Sequence, residues 1–278
     1  MRSPRKWFNS VMPAMERGLN LAGGFLIGLF GILEVALTMT RTPIRALTFD
    51  TGGTILDWHT GFKDALTVAG RRHGIERDWA ALANELRRRS LKAMINLGER
   101  EPPAYNFDGA HRTTLDAITV ENDLGIFSED DRHAIAYKAP HNFRCWPDFG
   151  PVLPKLRESY IAASFTILSY RLIIDTAKAN GLTWDAVFSC EGIGKYKLLP
   201  EAYLSVARYL QLDVGSCCMV ACHNFDLDAA KAVGFKTAFV RRPLEWGKAG
   251  PPDPNPNPQH DFIVDDFPGL AKALGVEL

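Results

Sequence analysis

The chain has 278 residues, 46% hydrophobic and 23% charged, a balance that excludes a disordered or fibrous polypeptide and suits one large globular domain or two modest ones. Its formal net charge is zero, and it has neither a basic stripe for nucleic acid nor an acidic tail. The five cysteines (Cys145, Cys190, Cys217, Cys218 and Cys222) are odd in number and lie mostly in apolar runs. That excludes a disulfide framework or a zinc pattern and points to a reducing compartment.

Residues 1–40 form an apolar extension unlike the rest. Arg2, Arg5, Lys6 and Arg17 precede an apolar run from Leu21 to Leu33, which Glu34 interrupts and Val35–Leu37 extend. The run reads as a signal peptide or short anchor, or as sequence upstream of a physiological start at Met39. Gly23, Gly24, Gly28 and Gly31 dilute it, and Glu34 is costly in lipid. A Met39 start implies a cytoplasmic protein. The alternatives imply an anchored or exported one, the only case with a membrane partner.

Ile44–Phe49 is a short apolar run that reads as a buried strand presenting Asp50 at its carboxyl end, where Thr51-Gly52-Gly53-Thr54 breaks it. Ligands bind at that edge of open α/β sheets. From about 61 to 140 the pattern is helical, over Gly61–His73, Trp79–Leu97, Ala110–Asp123 and Ser128–Tyr137. Beyond Trp146-Pro147 the chain alternates. Strands are expected at Ile161–Ser169, Trp184–Cys190, Cys217–Cys222, Lys236–Arg241 and Phe262–Val264. Helices fall between them at Leu172–Asn180, Pro200–Leu210 and Leu227–Val233, and Gly250–Pro258 reads as a surface loop. Alternation of this kind predicts an α/β fold: a Rossmann-like parallel sheet core with helices on both faces, residues 41–60 and 146–278. An inserted all-helical cap, residues 61–145, would sit over the Asp50 edge and exclude water.

Asp50, Ser169, Lys197 and Asp226 stand at or just beyond successive strand ends, with a helical insertion after the first. With the stretches FDTGGTILDW (49–58), RRRSLKAM (87–94), ILSY (167–170), YKLLPEAY (196–203) and ACHNFDLDAAKAVGFKTAFVRRP (221–243), this order resembles the haloacid dehalogenase superfamily, and within it the type II 2-haloacid dehalogenases. The resemblance covers nearly everything from Ile44 onward. It implies hydrolysis of the carbon–halogen bond of a small 2-haloacid, with no metal or organic cofactor. A homodimer is compatible with the pattern and not required by it.

The resemblance also implies roles for individual residues. Asp50 is the nucleophile, displacing halide to form an ester; taken alone it would equally suit a turn or a helix N-cap. Lys197 holds the Asp50 carboxylate ionised, and Tyr203 keeps the family spacing to orient it. Asp226 holds or activates the water that cleaves the ester, with His223 beside it in the same loop. Arg87, taken from the run Arg87-Arg88-Arg89, receives the halide together with Phe225, whose ring edge is electropositive. Thr54 and Ser169 bond Asp50 and the substrate carboxylate. The remaining histidines (His59, His73, His111, His133, His141 and His260) show no ligand spacing.

Four positions depart from the family pattern. Gly52 stands where phosphatases of the superfamily carry the Asp that protonates an alcohol leaving group, and where type II dehalogenases usually carry an aromatic. Halide departure needs little such help. Cys222 stands at the metal-binding Asp, a soft donor unsuited to magnesium. Asp228, in a first helical turn, is explained by the helix dipole. Leu198 replaces a proline, and Tyr170 replaces an asparagine that contacts substrate or halide. Tyr170 and Gly52 together suggest a size exchange, the ring filling space the glycine vacates. The rivals are a magnesium-dependent phosphatase on the same fold and a non-catalytic relative that binds a small anion or a protein.

Overall fold

The structure, a computed structural model, describes residues 43–95, 106–251 and 254–278. The expected extension over residues 1–40 lies outside the described residues. Among the described residues, no helix is long and apolar enough to cross a membrane.

Six strands form one parallel sheet in the order β3-β2-β1-β4-β5-β6: β1 Ala46–Phe49, β2 Ile161–Thr166, β3 Ala186–Ser189, β4 Cys217–Ala221, β5 Lys236–Val240 and β6 Phe262–Val264. A parallel strand covered on both faces must be apolar on both. Accordingly every residue of β1 and β4 is buried. β1 pairs with β2 on one side and β4 on the other, Phe49 standing opposite Ser164 and Val220. The strand order reverses there, which opens a crevice at the carboxyl ends. The Asp50 amide continues the ladder by donating to the Val220 carbonyl at 2.9 Å. Core helices surround the sheet: α5 Leu153–Ser159, α6 Tyr170–Asn180, α7 Cys190–Ile193, α8 Pro200–Tyr209, α9 Asn224–Ala232 and α10 Phe267–Ala273. The short α5 and α10 carry no sequence expectation.

Between β1 and α5 the described chain is helical: α1 Trp58–Arg72, α2 Trp79–Ile95, α3 Phe107–Glu121 and α4 Glu129–His133, which runs into a π-helical turn at Ala134–Lys138 and a 3-10 turn at Pro140–Asn142. Caps set the helix starts, and α1 and α3 begin earlier than their apolar periodicity suggests. Asp57 caps α1 by accepting from the Thr60 amide at 3.0 Å, so the helical excursion opens at Trp58 and not at Gly61. Asn106 caps α3. Ser128 and Asp131 form a reciprocal capping box on α4.

Two corrections bear on the site. β2 ends at Thr166; the chain turns through Ile167 and Leu168, and Ser169 becomes the N-cap of α6, accepting from the Leu172 amide at 3.2 Å. The helix expected at Leu227 begins at Asn224, which moves Phe225 and Asp226 from a loop into the first turn of α9.

α1 and α2 pack closely where a glycine allows it: a Cβ on Gly70 would stand 2.2 Å from the Trp79 ring. Gly125 has open space around it. Gly70→Ala is therefore expected to destabilise the protein by roughly 1–3 kcal/mol, and Gly125→Ala to stay within about 0.5 kcal/mol of wild type. Denaturant unfolding reads both, and equal effects would refute the packing assignment.

Candidate active site

Asp50 is 7% exposed and held at both oxygens. Lys197 Nζ donates to Oδ1 at 2.9 Å, Thr54 Oγ1 donates to Oδ2 at 2.9 Å, and His223 Nδ1 lies 3.4 Å from Oδ2. Thr54 is fixed in turn by accepting from the Cys222 amide at 3.0 Å. Burial raises the Asp50 pKa, but Lys197 and His223 outweigh it and hold the carboxyl well below the usual carboxylate range. Asp50 is thus a buried carboxylate held in its ionised form.

Lys197 bridges two carboxylates, donating also to Asp226 Oδ2 at 2.6 Å, while its ammonium stands 4.9 Å from the Phe165 ring centroid. Burial works against its charge, yet Asp226 and Asp50 raise its pKa above the ordinary value. Tyr203 donates to Asp226 Oδ1 at 2.7 Å, so its hydroxyl goes to the second carboxylate that Lys197 bridges and not to Lys197 itself. Burial, reinforced by the Asp50 charge, raises the Asp226 pKa against the pull of Lys197. Leu198 follows Lys197 at φ 76° and lines the cavity. That left-handed conformation costs a non-glycine residue roughly 1–3 kcal/mol and is closed to a proline.

The inserted helices supply Arg87. On α2 it points inward, 5% exposed, and donates from Nη2 to the Gly52 carbonyl at 3.1 Å. Its guanidinium lies over the rings of Trp58 and Phe107, 5.4 and 5.3 Å from their centroids. Arg88 and Arg89 turn outward to Glu85 and Glu121, so Arg87 alone of the run reaches the cavity. Gly52 leaves the guanidinium uncrowded, since a Cβ there would stand 3.1 Å from Nη2.

Asp50, Gly52, Arg87, Lys197, Leu198, His223, Phe225 and Asp226 share one cavity, completed by Leu91, Met94 and Ile95 of α2, Phe107 of α3 and the turn Thr166–Leu168. The space open to the centre of a water-sized sphere is about 30 Å³. A single water needs roughly 10–15 Å³ by that measure, so the cavity suits a molecule of only a few heavy atoms. Phe225 stands at the rim, its ring stacked on His223 at 5.2 Å.

Ser169 and Tyr170 are not brought to this wall. The Ser169 hydroxyl donates to Asp108 Oδ2 at 2.9 Å. The Tyr170 ring packs on Gly192, whose Cβ would stand 2.3 Å from its hydroxyl oxygen. The expected exchange of volume between Tyr170 and Gly52 therefore does not occur: Arg87 occupies the space beside Gly52. Thr166, at the β2 end, reaches the cavity in place of Ser169.

Sequence reasoning also missed Glu245. It is 1% exposed, accepts from Trp58 Nε1 at 3.0 Å, and faces His223 Nε2 at 3.1 Å. Gly53, at φ 99°, lets the backbone pass beneath it, since a Cβ there would stand 2.2 Å from Glu245 Oε1. Burial raises the Glu245 pKa, but His223 and Trp58 lower it further. Cys222, His223 and Glu245 offer donor atoms within 4.8 Å of one another, a trio that could hold a soft or borderline cation. Cys222 turns its sulfur to that side, 3.7 Å from Glu245 Oε2. Asp228 is exposed and bonded to Asn257 at 3.0 Å, so it adds no oxygen to a magnesium shell at Asp50.

A buried histidine ties α3 to α6. His141 bonds Asp108 of α3 through Nε2 at 3.2 Å and Asp175 of α6 through Nδ1 at 2.8 Å. Burial disfavours its charge, but the two aspartates outweigh it and raise its pKa. A raised folded-state pKa contributes stability that is fully present below the unfolded value of about 6.5 and lost as pH rises through the folded value. The stability gap between wild type and His141→Asn should therefore be widest in acid and shrink above about pH 6.5. Thermal unfolding across pH measures it, and a gap that widens with pH would contradict the ion-pair assignment.

No protein-family model matches the chain. A curated relative, (S)-2-haloacid dehalogenase 1 of Pseudomonas sp. (strain CBS-3), is 27% identical over 208 residues, 72% of this chain and 86% of the relative. Among solved structures, an L-2-haloacid dehalogenase is 31% identical with a TM-score of 0.75, the match covering 83% of this chain and 99% of that one. A defluorinating L-2-haloacid dehalogenase is 35% identical with a TM-score of 0.76, covering 84% and 95%.

Proposed function

The chain belongs to the L-2-haloacid dehalogenases of the haloacid dehalogenase superfamily, and on that premise we propose that it hydrolyses small (S)-2-haloalkanoic acids to 2-hydroxy acids and halide through an ester on Asp50. The observation that carries this reading is an ionised, buried carboxylate and a buried guanidinium lining one small cavity, with a glycine where an alcohol leaving group would need an acid. Asp50 attacks the halogen-bearing carbon in line. Arg87 takes the departing halide, and Phe225 borders it. The substrate carboxylate lies against the Thr166–Leu168 turn near Lys197. Water held at Asp226 then cleaves the ester.

No metal or organic cofactor enters this scheme. The phosphatase alternative would need hard oxygen ligands; position 222 offers a thiol turned toward Glu245, and Asp228 lies outside the cavity.

The test is halide release from chloro-, bromo- and fluoroacetate and from both enantiomers of 2-chloropropionate, with a chelator present. Chelator-resistant release is expected, faster for the acetates than for longer acids because of the cavity size. Fluoroacetate should be slowest of the acetates, since fluoride is the poorest leaving group. Asp50→Asn should lower turnover by roughly 10³-fold or more. Arg87→Lys should lower kcat/KM by about 10-fold or more, because an ammonium cannot reproduce the planar fork. Phosphate release from phosphomonoesters with magnesium, and no halide from any haloacid, would overturn the proposal.

A further inference from the structure

The scheme above leaves two buried charged side chains without work. His223 is 8% exposed and Glu245 1% exposed, and neither faces solvent. Glu245 Oε1 accepts from Trp58 Nε1 at 3.0 Å and from His223 Nε2 at 3.1 Å. The other ring nitrogen, Nδ1, faces Asp50 Oδ2 at 3.4 Å. The three residues form a line of carboxylate, imidazole and carboxylate that ends on the proposed nucleophile. A buried carboxylate is costly unless paired. Glu245 meets that need through Trp58 and His223, and in doing so fixes the ring so that Nδ1 looks at Asp50.

The two oxygens of Asp50 have different surroundings. Oδ1 belongs to Lys197, which continues to Asp226 at 2.6 Å. Oδ2 receives the Thr54 hydroxyl at 2.9 Å and faces His223. One side offers a proton relay, the other a pair of donors.

Resting on the dehalogenase reading, we infer that His223 is a catalytic residue of the ester-hydrolysis step, donating to Asp50 Oδ2 as it becomes an oxyanion, and that Glu245 is the positioning residue that aims it. Oδ1 carries the substrate carbon in the ester. Water adds to Cγ and gives one proton to Asp226, while the carbonyl pair moves onto Oδ2, where Thr54 and His223 Nδ1–H hold it. Collapse restores the carbonyl and breaks the bond from Cγ to Oδ1. That oxygen leaves with the pair and takes a proton from Lys197, which regains one from Asp226. The second proton of the water, left on the new Asp50 carboxyl, goes to solvent. The sum is haloacid plus water giving hydroxy acid, halide and one proton. A carboxylate stands at each ring nitrogen of His223, Glu245 at Nε2 and Asp50 at Nδ1, an arrangement that favours a donor proton on both. Catalytic hydrogen bonds are often long before substrate binds, and removing one oxyanion donor typically slows a reaction by roughly 10²–10³-fold.

Rapid-quench measurement of chloride and glycolate from chloroacetate, with intact-protein mass analysis, tests this on wild type, Glu245→Gln, His223→Gln and Trp58→Phe. Glu245→Gln and His223→Gln should still release about one equivalent of chloride per enzyme, well ahead of glycolate. Glycolate should then form roughly 10²-fold more slowly, with the ester accumulating on Asp50. Trp58→Phe, which removes the second donor to Glu245 and keeps an aromatic ring beneath Arg87, should accumulate ester in the same direction to a smaller extent. Glu245→Asp should recover part of the loss. Chloride and glycolate slowed together in the variants, with no adduct, would overturn the inference while leaving the dehalogenase reading intact. A wild type that releases no chloride would overturn both.

Discussion

The site is organised around one buried ammonium. Lys197 stands between Asp50 and Asp226, 2.9 Å from one carboxylate and 2.6 Å from the other. Without it, two acids at the end of a parallel sheet would repel and one would take up a proton. With it, Asp50 stays ionised in a place that water barely reaches. A desolvated carboxylate is a stronger nucleophile than a hydrated one, and it survives desolvation only because its counter-charge is built in. The sheet makes this arrangement possible: β1 is fully buried, and its carboxyl end opens at the reversal of strand order.

Three further charges complete the balance. Arg87 comes from α2, Glu245 comes from the segment after β5, and His223 links Glu245 to Asp50. Asp50, Asp226 and Glu245 oppose Lys197, His223 and Arg87, so the cluster is close to neutral overall. Gly52 and Gly53 let the two outer charges in. Gly52 accommodates the guanidinium, and Gly53 passes under the Glu245 carboxylate. The consecutive glycines after Asp50 are room for ions as much as a flexible turn.

Much of this was legible in the chain. The strands appear as short apolar runs, most clearly β1 and β4, because a strand buried on both faces admits little else. Asp50, Lys197 and Asp226 follow strand ends at positions their motifs mark, and the resemblance singles out Arg87, the buried residue of its run. Two kinds of error remain. Local pattern extended the run Ile161–Ser169 as strand to its end, whereas a turn at Ile167 and Leu168 makes Ser169 a helix cap. Glu245 gave no signal at all. Its partners Trp58 and His223 lie 187 and 22 residues away, in elements that meet only in the folded sheet. A lone glutamate in a polar loop looks like surface until the fold buries it.

The most direct test of the central claim, that Asp50 is the group which attacks carbon, is a single turnover in water enriched in oxygen-18 with enzyme in excess over chloroacetate. The account predicts unlabelled glycolate and one labelled oxygen in the peptide carrying Asp50, because the hydroxyl oxygen of the product comes from the carboxylate. Labelled glycolate with an unlabelled Asp50 peptide would mean that water attacks the substrate directly, and would contradict the account.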